Sequence, residues 1–138
     1  MKTKLALTFA LVAITLVLCA GCSQVPVEVS CDDFTKQHNI TKEVKVAVGD
    51  SFTVTLCSNP TTGFEWSESA QISNQHVLEQ TAHEFTPPEG DTPGAAGEET
   101  WIFEALEKGT TEVTMEYSRL WEGGEKGEWT FVLTVVVK

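Results

Sequence analysis

Five runs of the chain alternate apolar and polar residues with a period of two, and that alternation restricts the fold more than any other feature. "EVKVAV" places Val44, Val46 and Val48 on one side, and "SFTVTLC" does the same with Phe52, Val54 and Leu56. "ETWIFEAL" (Trp101, Phe103, Ala105), "TEVTMEY" (Val113, Met115, Tyr117) and "EWTFVLTVVV" (Trp129, Phe131, Leu133, Val135, Val137) repeat the pattern. Successive side chains of a strand point to opposite faces, so these runs predict strands with one buried face. Gly49-Asp50 and Lys108-Gly109 separate runs as tight turns. "GFEWSES" and "HVLEQT" are weaker strand candidates, and beyond the N-terminal segment no helical period persists for ten residues. About seven short strands in about 100 residues predict an all-β, immunoglobulin-like β-sandwich. The antibody Cys…Trp…Cys pattern is absent, so the expectation is one of architecture alone.

The chain begins differently. Lys2 and Lys4 precede an uninterrupted apolar run, Leu5 to Leu18, which is short for a membrane span and reads as the core of an export signal. "CAGC" follows, with small Ala20 and Gly21 before Cys22. This resembles a lipobox, in which the cysteine becomes the lipid-carrying mature N-terminus. Cys19 stands where such motifs usually have Leu, so ordinary cleavage with release, or an uncleaved anchor, stays open. The expected division is a lipoprotein-type signal over 1–21, a polar tether over 22–38, and one domain over 39–138. The domain is expected outside the cytoplasm, anchored by lipid on the outer face of a prokaryotic membrane or secreted.

Nine basic side chains face 20 acidic ones, a formal charge of -11; loss of residues 1–21 removes two lysines and no acid, leaving -13. Nucleic-acid phosphates would repel such a domain, whereas a soluble exported domain or a basic partner suits it. Beyond Cys22 only Cys31 and Cys57 remain. In an oxidising compartment such a pair reads as a bridge, contributing roughly 3 kcal/mol if unstrained. The alternative, a catalytic thiol at Cys57, lacks a neighbouring helix start or basic residue to stabilise a thiolate. His38, His76 and His83 have no paired spacing and no Cys-x-x-Cys beside them, so no metal site is expected. "GDTPGAAG" lacks the lysine and the strand-to-helix setting of a phosphate loop, and no serine sits in a G-x-S-x-G elbow. Glu98 and Glu99 are adjacent at a strand start and point to opposite faces, so they cannot share a proton transfer. Asn39-Ile40-Thr41 matches a glycosylation sequon, and Asn59-Pro60-Thr61 is excluded by its proline. Neither a cofactor nor an enzymatic activity is expected.

Three segments are longer or stiffer than a sandwich needs: "SNPTTG" (58–63), "EFTPPEGDTPGAAGEE" (84–99) and "SRLWEGGEKGE" (118–128). Long loops in a small domain are commonly functional. Counted along the strands they join the second to the third, the fourth to the fifth and the sixth to the seventh, so all three can emerge at one end. In the first, Pro60 fixes its own φ and extends Asn59, Gly63 closes the turn, and Thr61 and Thr62 are stiff at χ1. A stiff, narrow tip loses little entropy when a partner holds it.

"NPTTG" followed by aromatic Phe64, then "GAAG" opening a strand, then "RLW" after another strand, come in a definite order. Together they resemble the chagasin family of cysteine-protease inhibitors, which carries N-P-T-T-G-[aromatic], G-x-G-G and R-P-W on an immunoglobulin-like sandwich. The likeness covers about residues 40–138. It implies a monomeric, reversible inhibitor of papain-like cysteine proteases. By position, Asn59, Pro60, Thr61, Thr62 and Gly63, with Phe64 behind them, would form a wedge entering the active-site cleft, Thr62 nearest the catalytic thiol and histidine. Gly94, Ala95, Ala96 and Gly97 would lie along one wall, and Arg119, Leu120 and Trp121 would grip the other. Trp121, beside Gly123-Gly124, is expected to face the partner, whereas Trp101 and Trp129 are expected in the core. Leu120 replaces the family proline and Ala96 a family glycine, changes that imply weaker or differently selective binding. Two other readings are a non-inhibitory, Ig-like surface adhesion lipoprotein and, more remotely, a lipid-anchored enzyme using Cys57.

Overall fold

The alternating runs become two stacked sheets in a computed structural model, which describes residues 25–138. The expected export signal over residues 1–21, and Cys22 as the expected site of lipid attachment, lie outside the described residues. In chain order the elements are β1 (Pro26–Val29), α1 (Cys31–Lys36), β2 (Asn39–Val46), β3 (Ser51–Ser58), a 3-10 turn (Pro60–Thr62), β4 (Glu65–Trp66) and β5 (Gln71–Ile72). They continue with β6 (Leu78–Thr86), β7 (Gly97–Ala105), β8 (Gly109–Ser118) and β9 (Trp129–Val137). One sheet has the order β1-β3-β7-β6; the other has β2-β9-β8-β4, with β5 also pairing with β8. β1 runs parallel to β3 and β2 parallel to β9, while the remaining pairs are antiparallel. All seven expected strands are present, and two short ones, β1 and β5, are additional.

The inward residues of the alternation form the core. Phe52, Val54 and Leu56 of β3 meet Trp101 and Phe103 of β7, and across the sandwich Val113, Met115, Phe131 and Leu133 are equally buried. Two expectations are corrected. Val48 lies beyond the end of β2 and is exposed, because it sits within the turn that the Asp50 amide closes on the Ala47 carbonyl. Trp129 is half-buried, lying flat between Phe34 (4.9 Å between ring centroids) and Tyr117 (4.7 Å) rather than inside the core.

The expected tether is also corrected, since residues 26–36 belong to the fold. Val27 and Val29 point inward from β1, and Phe34 of α1 is fully buried against Trp66 and Trp129. The helix is short but well begun: Ser30 accepts from the Asp33 amide, and the Asp33 carboxylate accepts from the Ser30 amide. The Ser30 hydroxyl also donates to the Asp33 carboxylate at 2.7 Å, and this bond first, with that from the Ser30 amide, holds the Asp33 carboxyl below its ordinary value. A disulfide joins Cys31 of α1 to Cys57 of β3, their Cα atoms 5.1 Å apart. The reading of Cys57 as a catalytic thiol is therefore overturned, because its sulfur is bonded. Asn39 is exposed at the start of β2, its Oδ1 accepting from the Thr130 hydroxyl.

Candidate functional site

The first loop is a small rigid body built around one side chain. Asn59 caps the 3-10 turn: its Oδ1 accepts from the Thr61 amide at 3.3 Å and from the Thr61 hydroxyl at 2.6 Å. Its carbonyl accepts from the Thr62 amide at 3.1 Å and the Thr62 hydroxyl at 2.7 Å. Its own amide donates to the Tyr117 hydroxyl at 2.8 Å, which fixes the loop to β8. Pro60 opens the turn with a ring that needs no amide donor, and the Gly63 amide closes it on the Pro60 carbonyl at 3.0 Å. Both threonine hydroxyl protons are thus spent inside the loop. What Pro60, Thr61 and Thr62 expose is a compact tip of ring, methyl groups and oxygen acceptors.

The loop touches both of its expected companions. On one side the Asn59 side-chain amide donates to the Gly94 carbonyl at 2.9 Å. On the other, Arg119 Nε and Nη2 donate to the Thr62 carbonyl at 3.3 and 3.2 Å. The Arg119 guanidinium lies 4.4 Å from the Phe64 ring centroid and 5.7 Å from that of Trp121. Gly63 has φ +80°, and a Cβ built there would come within 2.6 Å of the Trp121 ring. The position requires glycine for its backbone and for its neighbour. Residues 59–63, 94–97 and 119–121 are therefore gathered at one end of the sandwich.

The companions differ in build. Gly94 has a left-handed φ and is exposed, Ala95 and Ala96 are half-buried, and Gly97 is buried where a Cβ would strike the Thr86 carbonyl and the Phe85 ring. Ala96 does not have a positive φ and its methyl packs against the core, so strain is absent from that departure. In the third loop Leu120 and Trp121 are 60% and 55% exposed. Their backbone is held from behind. The Arg119 amide donates to the Glu125 carbonyl at 2.7 Å, Arg119 Nη1 meets the Glu125 carboxylate at 3.2 Å, and Lys126 Nζ donates to the Arg119 and Trp121 carbonyls.

Behind Phe64 the rings continue inward as a column, Phe64 on Tyr117 (5.5 Å), Tyr117 on Trp129, Trp129 on Phe34. Sequence reasoning missed Tyr117 as a partner of the tip, because alternation marked it only as core. It also missed buried Glu99, bonded to Ser58 and His83, because adjacent Glu98 and Glu99 were considered only as a catalytic pair. Their placement on opposite faces holds: Glu98 is exposed and Glu99 buried.

A model of the chagasin family peptidase inhibitor I42 matches residues 45–135. Chagasin of Trypanosoma cruzi is 34% identical over 91 residues, which span 64% of this chain and 82% of that protein. Among solved structures, the cysteine protease inhibitor EhICP2 from Entamoeba histolytica has a TM-score of 0.62 at 18% identity, covering 86% of this chain and 100% of that one. PbICP-C, solved in complex with falcipain-2, has a TM-score of 0.62 at 14% identity, covering 81% of this chain and 99% of that one. The two structures establish a shared fold. β1 and α1, with Cys31, precede the segment that matches the family model. By that match over 45–135, with its three motifs in order on the shared fold, this chain belongs to the chagasin family of peptidase inhibitors.

Proposed function

We propose that the protein is a reversible inhibitor of papain-like cysteine proteases, acting as a monomer, with residues 59–63 inserted into the active-site cleft. Residues 94–97 and 119–121 flank the insertion and grip the cleft walls. The observation that carries this reading is the rigid tip at 59–63, hydrogen-bonded to Gly94 on one side and Arg119 on the other. A protease cleaves backbone that lies extended through its cleft. Here the backbone is coiled into a 3-10 turn closed by its own amides, so it fills the cleft without presenting a peptide bond in a cleavable pose.

The energetics agree. A tip whose donors are already satisfied loses little freedom on docking, which is the main cost a loop brings to an interface. Exposed Trp121 and Leu120 offer apolar surface beside it, and tryptophan is a frequent interface hot spot. PbICP-C, of the same fold, forms a complex with falcipain-2. The leader of residues 1–21 and Cys22 fit export and lipid anchoring, which would place the inhibitor outside the cytoplasm. Titrating papain activity with the mature protein tests the proposal. Inhibition that saturates at one inhibitor per active enzyme and reverses on dilution supports it, and full activity at micromolar folded protein refutes it.

A further inference from the structure

Glu99 is buried on β7, an inner strand of its sheet, 6% exposed, and the tip chemistry above makes no use of it. Its Oε1 accepts from the Ser58 hydroxyl at 2.7 Å and its Oε2 meets His83 Nε2 at 2.7 Å. A carboxylate only accepts, so the imidazole proton sits on Nε2. The His83 ring also packs on Trp101, 5.0 Å between centroids. Beside the cluster, Glu65 of β4 and Glu68 beyond it line, with His83, Glu99 and Pro60, an open cavity of about 220 Å³. Burying a carboxylate is costly unless it is paired and hydrogen-bonded, and an apolar residue would pack the same position more simply.

The placement of the three residues gives the carboxylate a role. Ser58 is the last residue of β3 and precedes Asn59, the centre of the tip. Glu99 lies two residues after Gly97, where the second loop ends and β7 begins. His83 is on β6, three residues before Thr86, where the second loop leaves. One carboxylate thus ties the root of the first loop to both roots of the second. We propose that Glu99 is a positioning residue that, through Ser58 and His83, fixes loop 59–63 relative to loop 94–97. This rests on the inhibitor reading only for its effect on affinity; the positioning itself can be read without any protease.

The mature protein is compared with its Glu99→Leu and Glu99→Gln variants. Leucine removes both acceptors, whereas glutamine keeps an acceptor for Ser58 and can donate to His83 Nε2 in the other tautomer. Amide hydrogen exchange is expected to rise at least tenfold at Thr62, Gly63 and Ala95 in Glu99→Leu, to stay unchanged at Val113–Tyr117, and to be near wild type in Glu99→Gln. The papain inhibition constant should rise at least tenfold for Glu99→Leu and stay within about threefold for Glu99→Gln, by the corresponding loss of loop order on binding. Unchanged loop exchange in Glu99→Leu, a uniform rise across the sheets, or equal damage from Glu99→Gln overturns the proposal. If Glu99→Leu does not fold, Ser58→Ala and His83→Phe each remove one arm. The first should loosen Thr62 and Gly63, the second Ala95, and no selective loosening in either overturns it. A wild-type protein that leaves papain active refutes the inhibitor reading, while the exchange measurement still decides the role of Glu99.

Discussion

Gly63→Ala isolates the contact between the tip and its tryptophan companion. The substitution has two effects. The backbone at φ +80° is left-handed, which costs an L-residue about 1–2 kcal/mol. The new Cβ would also stand 2.6 Å from Trp121 Cη2 and 3.0 Å from Cζ3, so the indole must move. The first effect acts on folding and lowers the melting temperature by about 4–10 °C. The second acts on binding: displacing an interface hot spot costs about 2 kcal/mol, or about 30-fold in the inhibition constant. Trp121→Ala is the second arm of a double-mutant cycle read by papain inhibition and thermal unfolding. With the indole gone the clash is gone, so Gly63→Ala should add little to the inhibition constant in that background while still lowering the melting temperature. Two losses in affinity that simply add would refute the reasoning, since they would mean that Gly63 does not act through Trp121.

Other consequences follow from the same contacts. Replacing Cys31 and Cys57 together by serine opens a loop with a sequence separation of 26, which should cost about 3.5 kcal/mol by chain entropy, measured by urea unfolding. Reducing the wild type with dithiothreitol should give the same shift. Arg119→Lys keeps the charge but loses the planar guanidinium over the Phe64 ring and the two bonds to the Thr62 carbonyl. It should weaken papain inhibition by about five- to thirtyfold, on the order of 1–2 kcal/mol, and an unchanged constant would remove Arg119 from the positioning of the tip.

The strands were legible because each has one buried face, and a period of two survives any error in their ends. The element at the N-terminus was not, for a specific reason. β1 is four residues long with a proline at its first position, and α1 makes less than two turns, so neither fills a periodicity window. Its readable signal was the Ser30-x-x-Asp33 capping box beside buried Phe34. The three loops could be read from their proline, glycine and length, and their meeting at one end from the count of strands between them. The bonds that stiffen the tip could not. Whether the Thr62 hydroxyl faces a partner or its own Asn59 carbonyl depends on the turn that the backbone adopts. The Ser58–Glu99–His83 cluster joins residues 41 and 16 positions apart, brought together only by strand register.

A 59–63 tip seated in the cleft would cover the catalytic thiol of a papain-like enzyme. The most direct measurement is the rate at which iodoacetamide alkylates that thiol as inhibitor is added. The rate is expected to fall in proportion to the enzyme occupied and to recover when the complex is diluted. An alkylation rate unchanged at saturating inhibitor would contradict it, because the tip would then lie somewhere other than the cleft.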